Sequence, residues 1–223
     1  MPTILILGAS RGIGLEFARQ YAADGARVIA TARDEAGLAR LKSLGVQALH
    51  LDVIDPASIS SLASQLVDEQ IDIALYVAGV FPTRSAATPP TQQDFDRTMH
   101  TNVLGAMQAI PQVAPLVEKS AAGKFAFITS GMARIDGVES SYGWTYRVSK
   151  AALNMAVASA QNDYRKTIMV AMSPGRVKTD MGGAGATLTV EQSVSAMRHA
   201  LAGLTARHRG KYIDYDGSPI PTW

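Results

Sequence analysis

The chain has 223 residues, of which 47% are apolar and 18% charged, enough to bury a full core in one α/β domain. Its net charge of +2, from 21 basic and 19 acidic residues, is too small to argue for a nucleic-acid partner, and no run reaches the roughly 20 apolar residues of a membrane span. Without cysteine there is no disulfide framework and no thiolate zinc site, and His50, His100, His199 and His208 lack metal-ligand spacing, so no metal is expected. The first residues read as a strand rather than a signal peptide, and a cytoplasmic location is expected.

Short apolar runs alternate with longer amphipathic ones. Thr3–Leu7 reads as a strand, Gly12–Ala23 as a helix ended by Gly25, and Arg27–Ala32 as a second strand. Glu35–Leu44 is a helix stopped by Gly45, and Val46–His50 a third strand. Asp55 and Pro56 open a helix running to about Glu69, with Asp as N-cap and Pro at the first helical position. Ile71–Ala78 is a continuous apolar strand of the kind buried on both faces of a parallel sheet. Phe81–Pro90 is a polar, proline-containing loop. Thr91–Lys119 reads as one long helix, bent or interrupted near Pro111 and Pro115. Gly123–Ser130 is a strand, Gly131–Tyr142 a loop, Gly143–Arg165 a helix and Ile168–Ser173 a strand. A glycine-rich loop over Pro174–Ala186, a helix over Val190–Leu204 and a short strand over Lys211–Tyr215 complete the chain. Strict β-α alternation predicts a single domain, 1–223, built as a doubly wound parallel sheet of about seven strands with helices on both faces.

The stretch Gly8-Ala9-Ser10-Arg11-Gly12-Ile13-Gly14 lies between the first strand and the first helix. Gly8 lets the chain turn sharply, Gly12 keeps a Cβ out of the way of an approaching pyrophosphate, and Gly14 lets the helix pack close to the sheet. The helix then offers unpaired N–H groups and its positive dipole end. A ligand-free strand-to-helix turn would need the same glycines. Further on, Tyr146-Arg147-Val148-Ser149-Lys150 places a phenol and an ammonium four residues apart on one helix face. A nearby positive charge favours phenolate, so Tyr146 is expected to have a lowered pKa and to serve as proton donor and acceptor. An ordinary surface Tyr/Lys pair has the same spacing.

Together these signals resemble the short-chain dehydrogenase/reductase family over essentially the whole length. Besides the glycine turn and the Tyr146/Lys150 pair, the resemblance rests on Leu51-Asp52-Val53, Ala78-Gly79, Asn102 within Thr101–Gly105, Ser130, and Pro174-Gly175-Arg176-Val177-Lys178-Thr179. It implies a Rossmann-like fold that binds a nicotinamide cofactor along Gly8, Ser10, Arg11, Gly12, Ile13 and Gly14. It implies that Tyr146 exchanges a proton with a carbonyl or alcohol, that Lys150 lowers the tyrosine pKa and holds the nicotinamide ribose, and that Ser130 bonds the substrate oxygen. Asn102 would hold a water linking Lys150 to solvent. Asp52 and Val53 would contact the adenine, with Ala78 and Gly79 alongside, and Pro174, Gly175, Val177 and Thr179 would hold the carboxamide or phosphates. Ser130 lies 16 residues before Tyr146; the shorter spacing of many family members would fall on Ala133, which has no hydroxyl. The longer loop, with Thr129-Ser130-Gly131-Met132 and the ending Gly210–Gly217, is similar to the C-factor and sniffer-type carbonyl reductases. A serine that merely caps the strand is the plainer reading. Leu7 and Tyr76-Val77 depart from the family's usual Thr and Asn-Asn, polar residues that tie strands together.

A carboxylate at the end of the second strand would bind a ribose 2′-OH and repel a 2′-phosphate. Here Arg33 follows the strand and Arg11 stands in the glycine turn, which favours NADP(H) over NAD(H); a one-residue shift would bring Asp34 to the ribose instead. Phe81, Met132, Trp144 and Met181, with Ser130 and Tyr146, are expected to line an apolar pocket for an aldehyde, ketone or alcohol. An NADP(H)-dependent carbonyl reductase or alcohol dehydrogenase is the leading expectation. A nucleotide-binding signalling protein of C-factor type with incidental redox activity is the alternative. A sugar-nucleotide epimerase or dehydratase shares Tyr and Lys but usually has an extra substrate region, and no G-x-S-x-G elbow suggests a serine hydrolase. By the same resemblance, a homodimer or homotetramer through helices 91–119 and 143–165 is expected.

Overall fold

The computed structural model describes residues 1–183 and 185–223; Ala184, within the expected glycine-rich loop, lies outside the described residues. Seven strands form one sheet: β1 (Thr3–Leu7), β2 (Arg27–Ala32), β3 (Gln47–His50), β4 (Ile73–Tyr76), β5 (Lys124–Ile128), β6 (Ile168–Met172) and β7 (Lys211–Ile213). Their order is β3-β2-β1-β4-β5-β6-β7, and every pairing is parallel. The chain reverses direction across the sheet between β1 and β4, in the register Ile4↔Ile73 to Leu7↔Tyr76. Such a switch point opens a crevice at the carboxyl ends of the strands.

The period-2 alternation of each strand supplies two cores. Leu5, Leu7, Tyr76, Phe125, Phe127 and Met169 face one side, with Ile59, Val113 and Leu153 packed on them. Those partners belong to α3 (Pro56–Gln65), α5 (Gly105–Val117) and α6 (Trp144–Ala160). Ile4, Ile6, Leu75, Val170 and Met172 face the other, under Phe17, Leu41 and Met197. These come from α1 (Gly12–Ala23), α2 (Glu35–Ser43) and α7 (Val190–Ala202). β1, α1 and β2 have the expected bounds. The helix expected to reach Glu69 ends at Gln65, and the one expected to reach Arg165 ends at Ala160.

The segment 91–119 differs from expectation in an instructive way. α4 (Gln92–Met99) passes into a π-helical turn, His100–Leu104, and then into α5. Pro111 and Pro115 lie inside α5 without ending it. The interruption has another cause. The buried Tyr76 hydroxyl donates to the Thr101 carbonyl at 2.7 Å, drawing it away from the helical ladder. Gly105 lets the chain run against β4 and the turn after β3: a Cβ there would stand 2.6 Å from both Tyr76 Oη and Val53 O. The π-turn carries Asn102.

Candidate active site at the carboxyl edge of the sheet

At the switch point backbone touches backbone. Gly8 has φ 92°, and a Cβ on it would lie 2.7 Å from Ala78 N; one on Gly14 would lie 2.2 Å from Gly8 O. Thr31 ties the turn to β2, its Oγ1 accepting from Gly8 N–H at 3.1 Å and its carbonyl from Ala9 N–H at 2.8 Å. Thr31 thus makes a polar tie although Leu7 cannot, a role hidden in the sequence because a threonine in a strand is unremarkable. Asp34, Asp55, Thr91 and Thr189 cap α2, α3, α4 and α7 with their side chains, whereas α1 begins at Arg11 with no side-chain cap and no acid in its first turn. Its first N–H groups therefore keep their positive end for a ligand. Space is there too: the nearest atom to a Cβ on Gly12 would be the Thr179 methyl, 3.8 Å away. Ile13 turns inward and packs on the core. This donor set fits the pyrophosphate of a dinucleotide.

At the outer end, Arg33 is exposed just past β2. Asp34 is not directed to a ribose, because its carboxylate accepts the Gly37 N–H at 2.7 Å as the α2 cap. Arg40, which sequence reasoning missed, reaches back to donate its Nε to the Ser10 carbonyl at 2.8 Å. Arg11, expected to face a ribose phosphate, pairs instead with Asp180 at 3.0 Å, bridging the glycine turn to the loop after β6. Asp52 accepts from Ile54 N–H at 3.1 Å within its own turn. Val53 is buried against Gly105, so its side chain serves the core rather than an adenine.

Tyr146 and Lys150 share one face of α6, with Lys150 Nζ 5.7 Å from the Tyr146 ring centre. Lys150 is buried and donates to the Ile128 carbonyl at 2.7 Å; burial pushes its pKa down to about 7. Such an ammonium gives up its proton readily near neutrality. Tyr146 behaves opposite to expectation: burial pushes its pKa up to about 12, opposed only in part by the nearby Ser130 hydroxyl. The Lys150 charge is turned toward Ile128 and does not offset the burial. Ser130 Oγ also accepts from Met132 N–H at 3.1 Å, so the serine caps the 3-10 turn Gly131–Ala133, rather than only the strand of the plainer reading. Ala133, the alternative position, is buried in the core. Asn102 is fully buried; its Nδ2 donates to Val80 O and Ser149 Oγ, and its Oδ1 accepts from Val80 N–H at 2.8 Å. With both amide hydrogens in use, the side chain clamps the turn after β4 to α6. Gly79 lies between them: a Cβ there would be 3.4 Å from Asn102 Oδ1 and 3.5 Å from Lys150 Nζ.

Phe81 lies edge-on to Tyr146, ring centres 4.6 Å apart, and to Tyr142 at 5.7 Å. The Phe81 ring and the Met132 methyl both crowd over Gly143. Tyr142, not anticipated as a lining residue, therefore joins this apolar wall. Trp144 stands two residues before Tyr146 and so on a different face of α6, with its indole N–H buried and unpartnered. Met181 is exposed on the loop after β6. That loop leaves β6 through Pro174, whose carbonyl accepts from Ser193 Oγ at 2.7 Å, and turns at Gly175 with φ 74°. Val177 is buried and bridges Leu188, while Thr179 Oγ1 accepts from Gly182 N–H at 3.0 Å.

An uncapped glycine turn at the switch point of a parallel sheet, with a Ser/Tyr/Lys group across the crevice, defines a Rossmann-like dinucleotide fold. The short chain dehydrogenase family model matches residues 2–187. The C-signal of Myxococcus xanthus is 34% identical over 72% of this chain and 98% of its own length. A short-chain dehydrogenase/reductase from Burkholderia multivorans with bound NADP superposes with a TM-score of 0.89 at 32% identity, covering 100% of this chain and 99% of its own. The carbonyl reductase Sniffer of D. melanogaster gives a TM-score of 0.91 at 27% identity over 100% of both chains. The chain belongs to the short-chain dehydrogenase/reductase family of oxidoreductases. Among the described residues no helix is long and apolar enough to cross a membrane.

Proposed function

We propose that the protein is an NADP(H)-dependent carbonyl reductase or alcohol dehydrogenase in which Tyr146 is the general acid and base. The observation that carries this reading is the grouping of Ser130, Tyr146 and Lys150 at the same carboxyl edge of the sheet as the uncapped start of α1. NADP(H), when bound, supplies or accepts the hydride. The glycine turn and the first N–H groups of α1 hold its pyrophosphate, and Lys150 its nicotinamide ribose. Arg33 serves as the cation for a 2′-phosphate, a role supported by the engagement of Asp34 in the α2 cap. The Burkholderia relative with NADP bound supports the same cofactor.

In the reducing direction, the Ser130 hydroxyl donates a hydrogen bond to the carbonyl oxygen and stabilises the charge growing there. The Tyr146 hydroxyl bonds the same oxygen and transfers its proton to it, completing the alcohol as hydride reaches carbon. A phenol held near pKa 12 keeps its proton until that charge develops. Lys150, whose proton is loosely held, would return a proton to the phenolate once its ammonium turns from the Ile128 carbonyl toward Tyr146. Phe81, Tyr142 and Met132 give the reacting face an apolar side. An uncharged aldehyde or ketone, or the corresponding alcohol, suits such a wall.

NADPH and NADH oxidation over a broad panel of aldehydes and ketones tests the reading, with Tyr146→Phe in parallel. Turnover with NADPH that falls by about a thousandfold or more in the variant is expected. Undiminished turnover removes Tyr146 from the chemistry. The similarity to C-signal supports a second reading, a nucleotide-binding signalling role. Under it, Tyr146→Phe would bind NADPH and keep its cellular function. The exposed Leu104, Met107, Val148 and Met155 on α5, its preceding turn and α6 support pairing of these helices between copies. Sedimentation showing only monomer rejects it.

A further inference from the structure

On the proposed reading, Ser130 must aim its hydroxyl proton at a substrate oxygen. Its Oγ already accepts from Met132 N–H, which leaves its O–H free to donate. What sets the Ser130 peptide plane, and with it the Cα–Cβ direction, is its carbonyl. That carbonyl accepts two hydrogen bonds. One comes from Ala133 N–H at 2.9 Å, within the local turn. The other comes from the Tyr212 hydroxyl at 2.6 Å, from a strand 82 residues away. Tyr212 is almost wholly buried in β7, so its ring is fixed by the core while its hydroxyl reaches across the end of β6.

Tyr212 is itself braced from outside. Its carbonyl accepts from Ile220 N–H at 3.0 Å, and its ring lies 5.8 Å from the Trp223 ring. Trp223 O accepts from Ile135 N–H at 3.0 Å, and Arg134 donates to Thr222 Oγ1 at 3.2 Å. The segment 219–223 thus laces β7 to the loop after β5, the loop that carries Ser130 at its base. Between Ile135 and Tyr142 that loop is exposed throughout.

We propose that Tyr212, through its hydroxyl on the Ser130 carbonyl, is the positioning residue that holds the substrate-facing serine in line with Tyr146. Tyr212 acts on the site through the Ser130 carbonyl, its own side chain being almost wholly buried. Its ring packing and its hydroxyl are separable, because Tyr212→Phe keeps the ring and leaves the carbonyl bonded to Ala133 N–H.

A double-mutant cycle in the full chain tests this, using whichever carbonyl compound the wild type reduces with NADPH. Tyr212→Phe is expected to lower kcat about tenfold with the KM for NADPH unchanged. In a Ser130→Ala background the same change is expected to have no further effect on kcat, because the group it positions is gone. An equal loss in both backgrounds, or a kcat within twofold of wild type, overturns the proposal. Hydrogen exchange at the Met132 amide gives an arm that needs no turnover. The amide is bonded to Ser130 Oγ, so its exchange should quicken in Tyr212→Phe while that of Phe125–Phe127 in β5 stays as in wild type. Uniform quickening, or none at Met132, overturns the proposal even if no carbonyl is reduced. A local effect at Met132 without turnover would sustain the positioning geometry while the reductase reading fails. Should Tyr212→Phe fold poorly, Trp223→Ala loosens the same brace from its exposed side and is expected to act in the same direction, about threefold on kcat.

Discussion

The two sides of the crevice are built from different materials. At the glycine turn, where we propose the cofactor binds, main chain packs on main chain: Gly8 against Ala78, and Gly14 against the Gly8 carbonyl, at separations no Cβ tolerates. Around Tyr146, where we propose the substrate binds, side chains make the contacts: Phe81 on Tyr146 and Tyr142, with the Met132 methyl over the Gly143 backbone. A backbone-built site presents the same N–H groups whatever its neighbours, which suits an invariant ligand part such as a pyrophosphate. A site lined by side chains is reshaped by single substitutions, which suits a partner that differs from one family member to another.

The largest break in this comparison should come from Gly14→Ala. Its Cβ would meet the Gly8 carbonyl at 2.2 Å, so helix and turn must part. We expect a loss of about 3 kcal/mol or more of stability in thermal or denaturant unfolding, and no NADPH binding by calorimetry. Retained NADPH affinity would show that the turn is not the pyrophosphate site. Arg33→Ala leaves the turn whole and removes only a charge at the outer end. It should weaken NADPH by about tenfold or more and leave NADH nearly unchanged. Equal weakening of both would place the 2′-phosphate elsewhere, with Arg40 the next arginine to examine. The smallest effect should come from the side-chain wall. Phe81→Leu keeps the volume apolar but removes the edge-on contact with Tyr146. A few-fold change in carbonyl KM, different for aromatic and aliphatic substrates, is expected with NADPH binding intact. A change in NADPH affinity as large as that of Arg33→Ala would erase the distinction between the two sides.

The same division governs what could be read from residues alone. The bounds of β1, α1 and β2 follow from local rules, an apolar run, glycines at a turn and an amphipathic period, and they agree with the fold residue by residue. The glycine turn and the Tyr146/Lys150 spacing are equally local. The sequence places the break between α4 and α5 at the prolines, the local signal; its cause is Tyr76, 25 residues from the carbonyl it captures. The tyrosine pKa was expected to fall because Lys150 is four residues away; in space the ammonium faces Ile128, and burial decides the direction. Arg11 and Asp180 lie 169 residues apart, and no spacing announces their pairing. Arg40 carries no motif, and Tyr212, although it lies in the ending Gly210–Gly217, gives no sign in the sequence of the Ser130 carbonyl it reaches.

The place of β1 in the sheet bears on how the chain is made. Of the seven strands described, β1 comes first in chain order and yet lies centrally, with β2 on one edge and β4 on the other. Its β2 partner, beginning with Thr3↔Arg27, follows within some twenty residues, but its other edge stays open until Ile73 to Tyr76 emerge. Until then Ile4 to Leu7 offer unpaired N–H and C=O groups along a wholly apolar strand, a template to which a second nascent chain can add. Chains that end between β2 and β4 should therefore aggregate, whereas chains that extend past β4 have closed that edge within their own sheet.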